Sequence, residues 1–316
     1  MRQLLILALV TACTTSTPTL NKAAEPARAA VPATIPAGTV LRVGHQAEGV
    51  AVDPLTHLAA VGVREPFGIA LVDTRSGRLV RTVSVPGHVR HLAAQASTVL
   101  VPLEDSGVLL QLSLPDGSTL ARTPTDGYPH GVAAVGSDAA VVGNEHGHRV
   151  TLVRRGSVVA TATGFPQPGG ITATPQGVFV VDVAASTLTR LALDSLQRER
   201  TVKAGNGPTH AVADRRGDVV VVDTRGDAVL VFSPALQLLQ TVPLSGTPYG
   251  VAYDQVRDQL WVTLTARNEV VCLSGPTYTE LRRLPTVRQP NTVGVDSSTG
   301  AVVIASRSDG VVQIIR

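Results

Sequence analysis

Short apolar runs alternate with polar turn clusters along most of the chain, and the alternation repeats at a fixed distance. Val50, Leu92, Val132, Ile171, Ala211, Val251 and Val293 occupy matching positions, separated by steps of 42, 40, 39, 40, 40 and 42 residues. The segments around them are alike: Ala47-Glu48-Gly49-Val50, Val89-Arg90-His91-Leu92, Pro129-His130-Gly131-Val132, Pro168-Gly169-Gly170-Ile171, Pro208-Thr209-His210-Ala211, Pro248-Tyr249-Gly250-Val251 and Pro290-Asn291-Thr292-Val293. Within one period the pattern reads as four short strands divided by turn signals. In the fifth repeat it predicts strands at Ala211 to Ala213, Val219 to Asp223, Ala228 to Phe232 and Leu238 to Val242, with Arg215-Arg216-Gly217-Asp218 and Arg225-Gly226-Asp227 as turns. Four strands in a repeat of about 40 residues make one blade of a β-propeller.

The seventh repeat is one strand short. After Val293 to Val295, Ala301 to Ala305 and Val311 to Ile315 the sequence ends at Arg316. Thr39-Val40-Leu41-Arg42-Val43-Gly44 resembles the fourth strands, such as Leu239 to Leu244, and would complete that blade. The expected fold is all-β: a seven-bladed propeller of four-stranded blades over residues 39–316, closed by the N-terminal strand pairing with the last blade. Closure of this kind removes the open edge where mispairing starts.

The N-terminus follows other rules. Arg2 supplies one positive charge, Leu4 to Val10 is apolar, and Val10-Thr11-Ala12-Cys13 places small residues before a cysteine. The segment resembles a bacterial lipoprotein signal peptide. The resemblance implies that residues 1–12 are removed and Cys13 carries the acyl chains, which would anchor the protein on the outer side of the cell membrane. The apolar run is far shorter than the roughly 20 residues that span a bilayer. Residues 13–38 are dominated by Ala, Thr and Pro without hydrophobic period, and are expected to form an extended tether. With Cys13 used by the anchor, Cys272 has no partner, and no intrachain disulfide is expected.

Composition narrows the function. Of 316 residues, 44% are hydrophobic and 16% charged, which suits a packed domain and not a disordered chain. A net charge of +3 without a Lys/Arg run, and only 3% aromatic residues for stacking on bases, argue against nucleic acid as a partner. There is no Gly-x-Ser-x-Gly elbow, no Cys-x-x-Cys-His and no Gly-rich phosphate loop.

Pro248-Tyr249-Gly250-Val251-Ala252-Tyr253-Asp254, followed by Leu260-Trp261-Val262-Thr263-Leu264 and Asn268-Glu269-Val270-Val271, is similar to the YVTN-type propeller repeat. Val141-Val142-Gly143-Asn144 and Phe179-Val180-Val181-Asp182 stand at the corresponding places of two earlier repeats, although no repeat keeps the whole signature. The likeness implies an extracytoplasmic seven-bladed domain, and such families mix binding proteins, scaffolds and a few enzymes.

In such a fold the connections between blades, and those between second and third strands, share one face around the channel mouth, where function gathers. Glu48, Arg90, His91, His130, His210 and Tyr249 precede or open the inner strands. His146 and His148 lie on a second-to-third connection beside Glu145. These eight are the candidate ligand- or partner-binding residues. Their histidines fit either a metal or acid/base site or the ordinary solvation of a wet rim, and His-x-His alone has no specific ligand spacing. Asn144, Asp182 and Asp223 end the second strands of three consecutive blades; they fit either ligands for a divalent cation such as Ca²⁺ or Mg²⁺, or caps of tight turns.

The expected function is a monomeric, membrane-anchored binding or interaction module for an envelope protein or a small-molecule or polymer ligand, with no cofactor and no assigned catalytic residue. The alternative is a metal-dependent hydrolase or lyase acting on a small cyclic ester, like the regucalcin-type lactonases, with Asn144, Asp182 and Asp223 as ligands and His130 or His210 as base.

Overall fold

A computed structural model describes residues 20–316, so the expected signal peptide and the expected lipidation at Cys13 lie outside the described residues. The described chain folds into 28 strands in seven antiparallel four-stranded sheets. The first six blades comprise residues 50–84, 93–124, 129–163, 168–203, 208–243 and 248–285. The seventh combines Pro290–Asp296, Ala301–Ser306 and Val311–Ile315 with Thr39–Arg42, which pairs Thr39 with Ile314 and Arg42 with Val311. The ring therefore closes with strands from both ends of the chain.

The reason these residues form blades lies in which strands are covered on both sides. Second strands such as Val219–Asp223 are buried throughout, because neighbouring sheets pack on both faces. Outer strands such as Leu238–Pro243 are mostly exposed and carry Gln and Thr among their apolar residues. The core accordingly divides into seven clusters, one at each blade interface. Dispersion and apolar burial across these interfaces hold the ring together.

Glycines set how closely the inner strands approach. A Cβ on Gly131 would stand 2.1 Å from the carbonyl oxygen of Gly169 in the next blade, and the obstacle is backbone. Gly131→Ala is expected to destabilise the protein by roughly 2–3 kcal/mol in urea denaturation, because two blades must separate to admit one methyl. An unchanged midpoint would show that the inner strands are not in contact there.

The second blade departs from the pattern. Its inner strand is only Ala93–Gln95, preceded by an isolated bridge between Val89 and Leu103. Between that bridge and the strand the backbone from Arg90 to Leu92 leaves the ladder, and this segment with its flank delivers His88, Arg90 and His91 to the mouth.

Residues 20–38, expected as an extended tether, contain no regular strand but are seated on the propeller. Asn21 N donates to Ala184 O at 2.8 Å, Ala27 N to Thr265 Oγ1 at 3.0 Å, and Ala37 N to Pro285 O at 3.0 Å. In return Arg225 donates to Lys22 O, Arg288 to Ala29 O and Asn268 to Ala30 O. Ala24 and Ala29 are buried. Small side chains and frequent prolines let this strap lie flat, while side chains from blades 5 to 7 satisfy its carbonyl groups.

Candidate functional site at the channel mouth

The strap crosses the face on which the histidines converge. Ala23, Ala24 and Glu25 roof a pocket of about 40 Å³ whose walls include Arg90, His91, His130, Glu145, His210 and Tyr249. Below it the inner strands enclose the central channel, about 250 Å³, lined by aliphatic residues together with His91, His210 and Thr292. His91 and His210 border both spaces.

Three groups of polar side chains occupy this end. Glu48, 2% exposed, faces Arg64 at 2.9 Å, Arg90 at 3.6 Å and Arg307 at 3.7 Å. His130 places Nδ1 2.6 Å from Glu104 Oε1 and 2.9 Å from Glu145 Oε2, and His88 Nδ1 lies 2.7 Å from Glu104 Oε2. His91 and His210 bring their Nε2 atoms to 3.4 Å, with the Tyr249 ring 4.6 Å from that of His210 and the His130 ring 4.7 Å from that of His91.

These neighbours divide the titrations. Burial alone would push His130 down, but Glu104 and Glu145 outweigh it and raise its pKa above the ordinary 6.5. Burial likewise works against both carboxylates, yet hydrogen bonds from His130 and its neighbours lower Glu104 and hold Glu145 at about 2. His91 and His210 lack a carboxylate partner and are driven down by burial and by the His130 and Arg90 charges, His210 to about 3. The mouth thus combines a His130 shifted towards its cationic form with a His91–His210 pair shifted towards the neutral form. Burial also raises the Tyr249 hydroxyl well above 10, so it remains a neutral donor.

The neutral pair has a pH signature. Between pH 6.5 and about 3 the unfolded chain protonates His210 while the fold keeps it neutral, so stability falls as the pH falls through that range. One such group accounts for at most about 1.4 kcal/mol per pH unit. Denaturation at pH 7, 6 and 5 should show a shallower acid dependence for His210→Gln than for the native sequence; equal slopes would place His210 in contact with bulk solvent.

The structure gathers Glu48, Arg90, His91, His130, His210 and Tyr249 at one place. His146 and His148 are not in it: both are exposed on the rim, His146 against Tyr128 and His148 with Nδ1 2.7 Å from Pro166 O. Asn144, Asp182 and Asp223 each engage their own blade. Asn144 Nδ2 donates to Thr151 Oγ1 at 2.8 Å, Asp182 accepts the backbone of Gln167 and Ala185, and Asp223 accepts that of Asn206, Gly207 and Gly226. Glu104, His88, Arg64 and Arg307 belong to the site although they are not among the eight candidate residues; Glu104 and Arg64 lie on second-to-third connections, which the sequence assigns to this face. Glu104 and Glu145 directly follow the second strands of consecutive blades, and that shared position was the available signal.

Comparison with protein families and with curated proteins finds no match. Among solved structures the chain resembles Kuenenia stuttgartiensis hydrazine synthase with a TM-score of 0.75 at 13% identity, over 86% of this chain and 95% of that one. It also resembles a streptogramin B lyase (TM-score 0.73, 14% identity, 90% and 95% covered) and virginiamycin B lyase from Staphylococcus aureus (0.73, 12%, 88% and 99%). At such identities the likeness extends to the fold alone.

Proposed function

We propose that this protein is a lipid-anchored, extracytoplasmic binding module that takes a small polar ligand into the mouth and upper part of its channel. The observation that carries this reading is where buried polar atoms go unpaired. Thr292 Oγ1, His210 Nδ1, both side-chain polar atoms of Asn291, Arg90 Nε and His88 Nε2 have no hydrogen-bond partner among the described residues. All belong to inner strands or to connections leading into them, and Thr292 and His210 border the channel itself. Native proteins pair nearly all buried polar atoms, and seven of the ten orphans among the described residues, these six and Arg64 Nε, lie at this end of the channel, while Asn144 Oδ1, Arg154 Nε and Arg190 Nε lie elsewhere; that concentration supports a ligand that completes them. The channel volume equals about eight water molecules of the liquid, which sets the size class.

The anchor would fix the orientation. Cys13 is eight residues before Asn21, which is hydrogen-bonded to Ala184 on the mouth face. Eight residues reach at most about 28 Å, so a lipid on Cys13 would keep the mouth turned towards the membrane, and a ligand would arrive from that side.

The test uses the full chain in a bacterial envelope. Labelling with an alkyne palmitate should mark the native chain and not Cys13→Ser, and native mass spectrometry of the purified protein should reveal a small noncovalent adduct that Thr292→Val loses. Labelling that persists in Cys13→Ser would overturn the anchor. An adduct equally retained by Thr292→Val would overturn the channel site.

A further inference from the structure

The four oxygens of Glu104 and Glu145 are sorted by direction. Their outer oxygens are braced: His88 Nδ1 lies 2.7 Å from Glu104 Oε2, and Gln167 Nε2 donates to Glu145 Oε1 at 2.7 Å. Their inner oxygens, Glu104 Oε1 and Glu145 Oε2, both turn to the one nitrogen His130 Nδ1, at 2.6 and 2.9 Å. An imidazole nitrogen carries at most one hydrogen, so it cannot give each carboxylate a full hydrogen bond. All three side chains are held in place by burial, at 9% exposure for His130, 12% for Glu104 and 14% for Glu145.

We propose that Glu104 Oε1, Glu145 Oε2 and His130 Nδ1 form a divalent-cation site at the channel mouth. The three ligand atoms lie within 4.8 Å of one another, and small outward shifts bring them to the spacing of adjacent ligands around an ion bonded at about 2.1 Å. Two carboxylates balance the double charge. One imidazole among oxygen ligands selects a borderline ion such as Mn²⁺ or Zn²⁺ over Ca²⁺ and Mg²⁺, which favour sites built of oxygen. The braces on the outer oxygens are what a ligand carboxylate requires to hold its direction. The Arg90 charge reaches Glu104 and His130 and opposes the ion in part, while Glu48, 3.6 Å from Arg90 Nε, offsets some of it.

Three protein ligands leave coordination positions free, and Glu145 and His130 also wall the small pocket under the strap. An ion here would offer its open positions to a ligand carrying an oxygen donor. The inference shares its location with the binding reading above but does not depend on the anchor or on any organic ligand, since metal retention is measured with metal alone.

The full chain is stripped with chelator and titrated calorimetrically with Mn²⁺, Zn²⁺ and Ca²⁺. One equivalent of Mn²⁺ or Zn²⁺ is expected, with Ca²⁺ at least 10-fold weaker. Glu104→Gln and Glu145→Gln should abolish binding, and Gln167→Ala should weaken it about 10-fold through the lost brace. Asp182→Asn and the His146→Ala/His148→Ala double variant should bind as the native chain does. As a second measurement that does not rely on variants, bound Mn²⁺ should broaden the imidazole resonances of His91 and His210 and spare those of His57. Stoichiometric binding that survives both glutamate substitutions, broadening confined to His146 and His148, or no binding at all would overturn the site and leave His130 as a hydrogen-bonding partner shared by two carboxylates.

Discussion

Glu48→Gln is expected to lower the stability of the protein by about 3–5 kcal/mol, the range found when one partner of a buried ion pair is removed. The carboxylate is 3% exposed and faces three guanidinium groups, from Arg64 in the first blade, Arg90 at the second and Arg307 in the seventh. Burial lowers the Arg64 pKa, and the charges of Arg90 and Arg307 lower it further; Glu48 is the chief opposing influence. The same carboxylate is the largest favourable influence on Arg90. Without it, three cations repel one another beside the channel, and the Arg90 side chain is only 18% exposed to water. Urea denaturation at pH 7 reads the loss, and adding Arg90→Met to Glu48→Gln should recover part of it. A loss below 1 kcal/mol would mean that Arg90 swings into solvent and that the mouth is an open rim.

The fold was legible because a propeller repeats one local decision. Strands covered on both sides need unbroken apolar runs such as Val219-Val220-Val221-Val222, outer strands need only partial cover, and the step of about 40 residues is visible wherever both hold. The predicted strands of the fifth repeat agree with the observed ones except that the inner strand begins at Pro208 and the outer strand runs to Pro243. The second repeat, whose inner strand shrinks to Ala93–Gln95, was least legible: the residues that leave the ladder look like those that stay in it.

The site was legible in part. Glu48, Arg90, His130 and Tyr249 hold one matching position in their repeats and His91 and His210 hold the next, so the ring symmetry brings them to the channel. His146 and His148 were chosen by proximity in sequence, but they occupy a turn whose backbone reaches a φ of 54° at His148, and the turn carries both rings outward. Glu104 was passed over because a carboxylate in a turn is commonplace; its meaning comes from Glu145 at the same position one blade on. The strap was illegible because composition reports the absence of a hydrophobic period, whereas this segment is seated by backbone hydrogen bonds and two alanines.

Truncation should separate the strap from the closing strand. A chain beginning at Gly38 loses the strap but keeps Thr39–Arg42, and it is expected to remain a folded monomer with His91 and His210 more accessible to chemical modification, since the roof of their pocket is gone. A chain beginning at Val43 loses the four residue pairs to Val311–Ile315 as well. That strand, Val-Val-Gln-Ile-Ile, then becomes an exposed apolar edge of the kind that recruits other chains. The second truncation should therefore form oligomers or aggregate, and light scattering distinguishes the two outcomes directly. A circular permutant carrying Thr39 to Gly44 after Arg316 restores the pairing without restoring the strap, and it should again be a monomer. If it aggregates like the Val43 chain, the strap and not the closing strand holds the ring shut, and the mouth could not open without opening the fold. If it is monomeric, the roof over the histidines is separable from the ring, which a site that admits a ligand beneath the strap requires.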